Sequence, residues 1–80
     1  MTTSPAAPAV DVENKSVTFQ GTTYKIQPLA EDTFTVLVEG VPVGRIVYVF
    51  GAANGVPDGD TTSEETLTAI AEAWFAATAT

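Results

Sequence analysis

The sequence contains no cysteine and no histidine among its 80 residues. Without cysteine, the chain has no disulfide framework, no thiolate metal ligand and no thiol nucleophile. Without histidine, it lacks the commonest general base and the commonest transition-metal ligand. Enzymatic chemistry would have to rest on carboxylates, tyrosine, lysine or a bound metal. We therefore expect a non-enzymatic protein that uses no cofactor.

Basic residues are also scarce. Lys15, Lys25 and Arg45 stand against ten acidic residues, and the formal net charge is −7. Binding to nucleic acid requires a basic surface that displaces counterions from phosphates. Three basic residues spread over thirty positions of the sequence cannot form one, so we expect neither nucleic-acid nor membrane binding. Residues 51–80 carry five acids and no base, which makes the C-terminal part the negative end.

Long apolar runs are absent as well, since none approaches the roughly 20 residues that span a bilayer. The opening segment MTTSPAAPAV has no basic residue, and its prolines interrupt a run too short for a signal-peptide core. These features predict a cytoplasmic protein. An export signal removed ahead of this numbering would leave no trace in the sequence.

The composition is that of a folded chain, because 45% of the residues are hydrophobic and 16% are charged. The length permits one domain with a small core and a thin stability margin. Residues 1–14 show neither a helical nor a strand period, which predicts a disordered N-terminal arm. Residues 15–80 are expected to form a single α+β domain.

Period-two alternation of apolar and polar residues predicts three to four antiparallel strands after the arm. Gly21 separates two alternating runs where a tight turn requires a positive φ, and Glu39-Gly40 marks a later turn. The predicted strands lie in the segments SVTF, TYKI, TFTVLVE and VGRIVYVF.

The fourth of these strands is apolar on both faces. Ile46, Tyr48 and Phe50 alternate with Val47 and Val49, and such strands are usually covered on both sides. A single helix covers one face, so the other is expected to require a second polypeptide. The predicted interface consists of Val43, Val47 and Val49, with a homodimer as the expected assembly.

The segment SEETLTAIAEAWFAATA places apolar residues at i, i+3, i+4, i+7 and i+8, which predicts an amphipathic helix. Strands followed by one helix favour an antiparallel meander with the helix packed on one face. The predicted core consists of Phe34, Val36, Leu67, Ile70, Trp74 and Phe75.

The stretch NGVPDGDTTSEE resembles a calcium-binding loop in part of its spacing. Its candidate ligands are Asn54, Asp58, Asp60 and Glu65. Val56 offers no side-chain oxygen at the third ligand position, and the preceding segment is predicted as a strand instead of a helix. These mismatches outweigh the matches, so no metal is expected.

Turn and capping chemistry explains the same residues more fully. Asn54-Gly55 and Asp58-Gly59 are dipeptides typical of turns. Thr62 and Glu65 have the spacing of a capping box, in which the hydroxyl and the carboxylate each accept a backbone N–H. The stretch is therefore predicted to turn the chain and start the helix.

Two functions fit these observations best. The first is a small protein–protein interaction module, most simply a homodimer, because the apolar fourth strand needs cover. The second is an acidic decoy that occupies a basic surface on a partner macromolecule, because the charge of −7 is concentrated toward the C-terminal part.

Overall fold

A computed structural model describes residues 8–59 and 62–78 of the chain. Its strands form one six-stranded antiparallel sheet in which sequential strands are neighbours. A single helix follows the last strand and packs against the concave face of the curled sheet. It contacts the strands at both edges of the sheet. The elements are β1 (Ala9–Asp11), β2 (Ser16–Phe19), β3 (Thr22–Ala30), β4 (Thr33–Val38), β5 (Val41–Val49), β6 (Ala52–Pro57) and α1 (Glu64–Thr78).

The predicted class is confirmed: the fold is α+β, with an antiparallel sheet and a C-terminal helix. The predicted number of strands was too small. Strand β1 lies inside the segment 1–14, which was expected to be a disordered arm, and it pairs with β2 from Ala9 to Asp11. Residues 1–7 of that segment lie outside the described residues. Strand β6 occupies part of the acidic stretch, where turns were expected.

Three hairpins share one turn geometry. Each has a two-residue turn whose central residues both have positive φ, which matches the right-handed twist of the flanking strands. Each turn ends in glycine, which adopts this conformation without steric cost. The turns are Gln20-Gly21 (φ 52° and 80°), Glu39-Gly40 (51° and 81°) and Phe50-Gly51 (52° and 77°).

A β-bulge between β4 and β5 changes the expected orientation of Val43. Val36 pairs with Gly44 and Leu37 pairs with Pro42, so Val43 is an extra residue without a directly opposed partner. Such a residue shifts the alternation of side chains along the strand. Val43 is consequently 5% exposed and belongs to the hydrophobic core. Its assignment to an outward-facing interface was wrong.

The core lies between the concave face of the sheet and the apolar stripe of α1. Phe34 and Phe75 are half-buried and pack against it. This arrangement places the helix stripe on the sheet, as its 3.6-residue period requires. The buried core residues are Val17, Tyr24, Ile26, Val36, Val43, Ile46, Leu67, Ile70, Ala71 and Trp74.

Two glycines allow the first turns of α1 to approach the sheet backbone. A Cβ atom on Gly55 would overlap Leu67 and the backbone nitrogen of Thr68, and one on Gly44 would overlap the Leu67 side chain and the Val56 carbonyl. Gly55 pairs with Ile46 in the middle of β6. The prediction of a turn at Asn54-Gly55 was therefore wrong: the glycine accommodates the helix.

The helix begins one residue later than the predicted capping box implies. Ser63 is the cap, because its hydroxyl oxygen accepts the Thr66 backbone N–H at 3.2 Å. Its hydroxyl also lies 3.0 Å from the Thr66 hydroxyl. Thr62, the predicted cap, is instead buried. No helix in the described part of the chain is both long enough and apolar enough to cross a bilayer.

Candidate interaction site

The calcium-loop candidates do not form a loop around a common centre. Residues 54–57 are extended and paired with β5, and the Asn54 side-chain amide donates to the Ala52 carbonyl oxygen at 3.3 Å. Asp58 follows the strand, Glu65 lies in the first turn of α1, and Asp60 lies outside the described residues. Within residues 8–59 and 62–78, no group of three or more potential ligands could hold a metal ion.

The strongest apolar feature of the surface is the hairpin formed by β5 and β6. Seven large apolar side chains are exposed in the described part of the chain, and four of them lie within residues 48–56. Tyr48 packs against Phe75 on the helix side of the sheet, whereas Val49 and Val56 lie on the outer face, so these apolar side chains are divided between the two faces of the hairpin. The four are Tyr48, Val49, Phe50 and Val56.

Phe50 is the most exposed of these residues. It occupies the first position of the hairpin turn, with φ of 52°, and its exposure is 103% of the reference value for the residue. A bulky side chain is rare at positive φ, where asparagine, aspartate or glycine is preferred. Neither hairpin stability nor burial within this chain explains a phenylalanine at this position.

A groove lies beside Phe50, between the β5–β6 hairpin and the C-terminal half of α1. Its volume is about 480 Å³. It is lined by small residues, by two aromatic residues and by one glutamate. The lining residues are Tyr48, Gly51, Ala52, Ala53, Glu72, Phe75 and Ala76.

A row of aromatic rings connects this groove to the core. The ring centroids of Trp74 and Phe34 are 5.9 Å apart, those of Phe34 and Phe75 are 5.6 Å apart, and those of Phe75 and Tyr48 are 5.1 Å apart. All three separations fall in the range that aromatic pairs prefer. Trp74 Nε1 is buried without a hydrogen-bond partner. The groove wall is thus supported from behind by packed rings.

The outer, convex face of the sheet is mixed in polarity. Val47 is directly opposed by Thr33 on one side and Asn54 on the other, and Arg45 is opposed by Thr35. Directly opposed residues share a face of the sheet. Val47 is half-buried, and Val49 is 43% exposed. Val47 therefore lies between polar neighbours, Val49 is opposed by Ala52, and the expected continuous apolar face is absent from the described sheet.

The basic residues all lie outside the helix. Arg45 and Lys25 lie on the outer face of the sheet, and the Lys15 side chain borders the same concavity as Lys25. That concavity has a volume of about 460 Å³. The helix carries exposed Glu64, Glu65 and Glu72 and no basic residue. The helix surface therefore carries only acidic charge, whereas the three basic residues share the rest of the molecule with further acids such as Asp11 and Glu13.

Strand addition at β6 is hindered by its own sequence and by the helix. The Gly55 N–H donates to the Thr68 hydroxyl oxygen at 3.2 Å, and Pro57 has no N–H to offer. Edge strands blunted in these ways pair poorly with further strands. A partner at this end of the sheet has to bind through side chains.

A hydrogen-bonded turn joins the other edge strand, β1, to β2. The Asn14 side-chain amide donates to Asp11 Oδ2 at 2.7 Å, and the Asn14 backbone N–H donates to Asp11 Oδ1 at 3.2 Å. These donors favour the carboxylate and lower the pKa of Asp11 below its usual 3.8. The Lys25 ammonium group donates to the Asn14 carbonyl oxygen at 3.0 Å. The turn therefore holds β1 in place.

Sequence reasoning missed Phe50 because it read this residue as the end of the fourth strand, on the same face as Ile46 and Tyr48. The available signal was the recurrence of a residue followed by glycine between β-prone runs. Phe50-Gly51 repeats the pattern of Gln20-Gly21 and Glu39-Gly40. A turn at this position exposes Phe50 and creates β6.

Comparison with protein-family models, with curated proteins and with solved structures finds no match for this chain.

Proposed function

We propose that this protein is a small non-enzymatic protein–protein interaction module that self-associates through the end of the β5–β6 hairpin. One observation carries the proposal: five of the seven large apolar side chains exposed in the described residues lie on this hairpin, and three of them, Tyr48, Val49 and Phe50, are consecutive at its end. Phe50 at its tip is fully exposed at an unfavourable φ. A residue that contributes little to its own hairpin is better explained by a contact with a partner.

The area of a specific interface determines how much apolar surface self-association requires. A specific interface buries about 800 Å² on each partner, and a phenylalanine supplies about 150–250 Å² of that area. Phe50 therefore needs additional apolar surface close by. The side chains that line the groove provide such surface within the same hairpin end. Aromatic anchors at the centre of an interface often contribute most of the binding free energy.

The molar mass in solution tests the proposal. Light scattering across a concentration series should give a mass that rises from 8.3 kDa toward twice that value. A mass that stays at 8.3 kDa at every concentration would contradict self-association.

The acidic surface of the helix supports a second candidate, an acidic decoy that occupies a basic surface on another macromolecule. Glu64, Glu65 and Glu72 are exposed on a helix without basic residues. Carboxylates on one face attract a basic partner, speed association and make binding dependent on salt.

Charge-neutralising variants separate this candidate from ordinary acidity. Replacing Glu64, Glu65 and Glu72 by glutamine should abolish capture of a basic partner at low ionic strength. The control replaces Glu13, Glu31 and Glu39, which lie outside the helix, and removes the same total charge. Equal loss of binding in both triple variants would show that net charge alone is responsible, which contradicts a specific decoy surface.

A further inference from the structure

We propose that Phe50 of one copy inserts into the groove beside Tyr48 and Phe75 of a second copy, and that the second copy does the same in return. The inference rests on the proposed self-association and specifies its contact. Phe50 cannot fill its own groove, because it immediately precedes Gly51 in the groove lining and its side chain is fully exposed.

The groove suits an aromatic ring in size and in lining. Gly51, Ala52, Ala53 and Ala76 leave space that larger side chains would fill, and the volume is about 480 Å³. Pockets of roughly 300–1,000 Å³ lined mainly by apolar and aromatic groups are typical of small-ligand sites. A phenyl ring with the adjoining turn residues occupies a space of this size.

The inserted ring would extend the aromatic row. Within one copy, the row runs from Trp74 through Phe34 and Phe75 to Tyr48, with centroid separations of 5.9, 5.6 and 5.1 Å. Rings at such distances attract each other beyond simple burial of area. Phe50 of the second copy would become the fifth member, and it would stack against walls that the core already holds in position.

Because the ring and the groove are close together on the same chain, the expected dimer has two-fold symmetry. Phe50 and the lining residues Gly51, Ala52 and Ala53 are adjacent in one hairpin. A two-fold axis beside the hairpin tip can therefore satisfy both contacts at once. Such an interface is closed, so the assembly is a dimer without further growth.

The first test removes the ring. Sedimentation velocity on the full chain should show that Phe50→Ala weakens the dimer roughly tenfold or more, as expected for an aromatic anchor. The matched control is Val41→Ala, which removes another exposed apolar side chain at the opposite end of β5 from the hairpin tip. The control should dimerise like the parent chain. Fluorescence of Trp74, the only tryptophan of the parent chain, reports that Phe50→Ala and the control are folded.

The second test fills the groove from within. Ala76 is exposed and lines the groove, so the ring of Ala76→Trp should occupy the space that Phe50 of the partner needs. This variant alone should also form a weakened dimer. When it is mixed with Phe50→Ala, one intact ring meets one intact groove. The mixture should therefore associate more strongly than either variant by itself.

The outcomes distinguish the contact from the function. If the parent chain dimerises and Phe50→Ala dimerises equally well, or if the mixture gains nothing, the reciprocal insertion is wrong while self-association stands. If the parent chain stays at 8.3 kDa at every concentration, both proposals fail. Weakening in both single variants with recovery in the mixture supports the insertion.

Discussion

The backbone N–H of Gly55 donates a hydrogen bond to the hydroxyl oxygen of Thr68 at 3.2 Å, across the contact between β6 and α1. This bond is possible because Gly55 has no side chain: a Cβ atom there would overlap Leu67 and the Thr68 nitrogen. The first turns of the helix therefore rest directly on the backbone of the last strand.

Gly55→Ala should lower the free energy of unfolding by roughly 1–3 kcal/mol or more, as overpacking of a close contact does. Urea unfolding followed by Trp74 fluorescence measures the change. Gly21→Ala is the contrast, because open space surrounds Gly21 and only its φ of 80° is unfavourable, at about 1 kcal/mol. Adding Leu67→Ala to Gly55→Ala should not restore stability, since the clashing Leu67 Cβ and backbone remain. Recovery in the double variant would contradict this account.

Ser63→Ala should destabilise the protein by about 0.5–2 kcal/mol, because the Thr66 N–H loses its acceptor. Hydrogen exchange of the Thr66 amide should become faster. Glu65→Gln, which changes the carboxylate of the predicted capping box, should leave that exchange rate unaltered. Faster exchange of the Thr66 amide in Glu65→Gln would argue against Ser63 as the sole cap.

Phe50→Asn should stabilise the monomer and weaken the dimer in the same variant. Asparagine suits the positive φ at this turn position, and turn optimisation of this kind commonly adds about 0.5–2 kcal/mol. Gln20→Asn is the matched control, because Gln20 occupies the equivalent position in another hairpin with the same φ of 52°. It should gain stability without changing self-association. Unfolding curves and sedimentation velocity measure the two properties separately.

Self-association should strengthen as salt is added. Each copy carries a net charge of −7, so two copies repel each other, and the screening length falls from about 30 Å at 0.01 M salt to about 8 Å at 0.15 M. The apolar contact is unaffected at these concentrations. Binding to a basic partner would weaken over the same range. A dimer that dissociates on adding salt would point to an ionic contact instead of Phe50.

The Asp11 carboxyl group should titrate below its usual pKa of 3.8, because Asn14 donates two hydrogen bonds to the charged form. A lowered pKa means that the folded state gains stability above the unfolded pKa and loses it as the pH falls through the folded pKa. Carboxyl NMR should follow this titration, and amide protection in β1 should fall with it. Asn14→Ala should return the pKa toward 3.8. An unshifted pKa in the parent chain would contradict the turn geometry.

The helix and four of the strands could be predicted because their patterns are local. The stripe through Leu67, Ile70 and Trp74 requires only the helical period, and the alternation around Val17 or Val36 requires only the strand period. Strand β1 has three residues, too few to establish a period. Strand β6 contains Asn54-Gly55, a dipeptide that is typical of turns. Its place within a strand follows only from the helix, which packs directly on Gly55.

The candidate site was less predictable because it depends on pairing between strands. Val43 faces the core as a result of the bulge between Val36 and Leu37, and a bulge leaves no period in the sequence. Phe50 follows a β-prone run without the asparagine or aspartate that usually marks such a turn. The exposure of Phe50 depends on where β5 ends, and the pairing register between β5 and β6 determines that position.

Gly44 and Gly55 together provide a sequence marker for distant relatives of this chain. Both positions face the same leucine, so neither can accept a larger residue unless the helix moves. A chain descended from the same ancestor would keep glycine, ten intervening residues, glycine, eleven intervening residues and then leucine, as this sequence does. That spacing would remain recognisable after surface positions such as Phe50 had diverged.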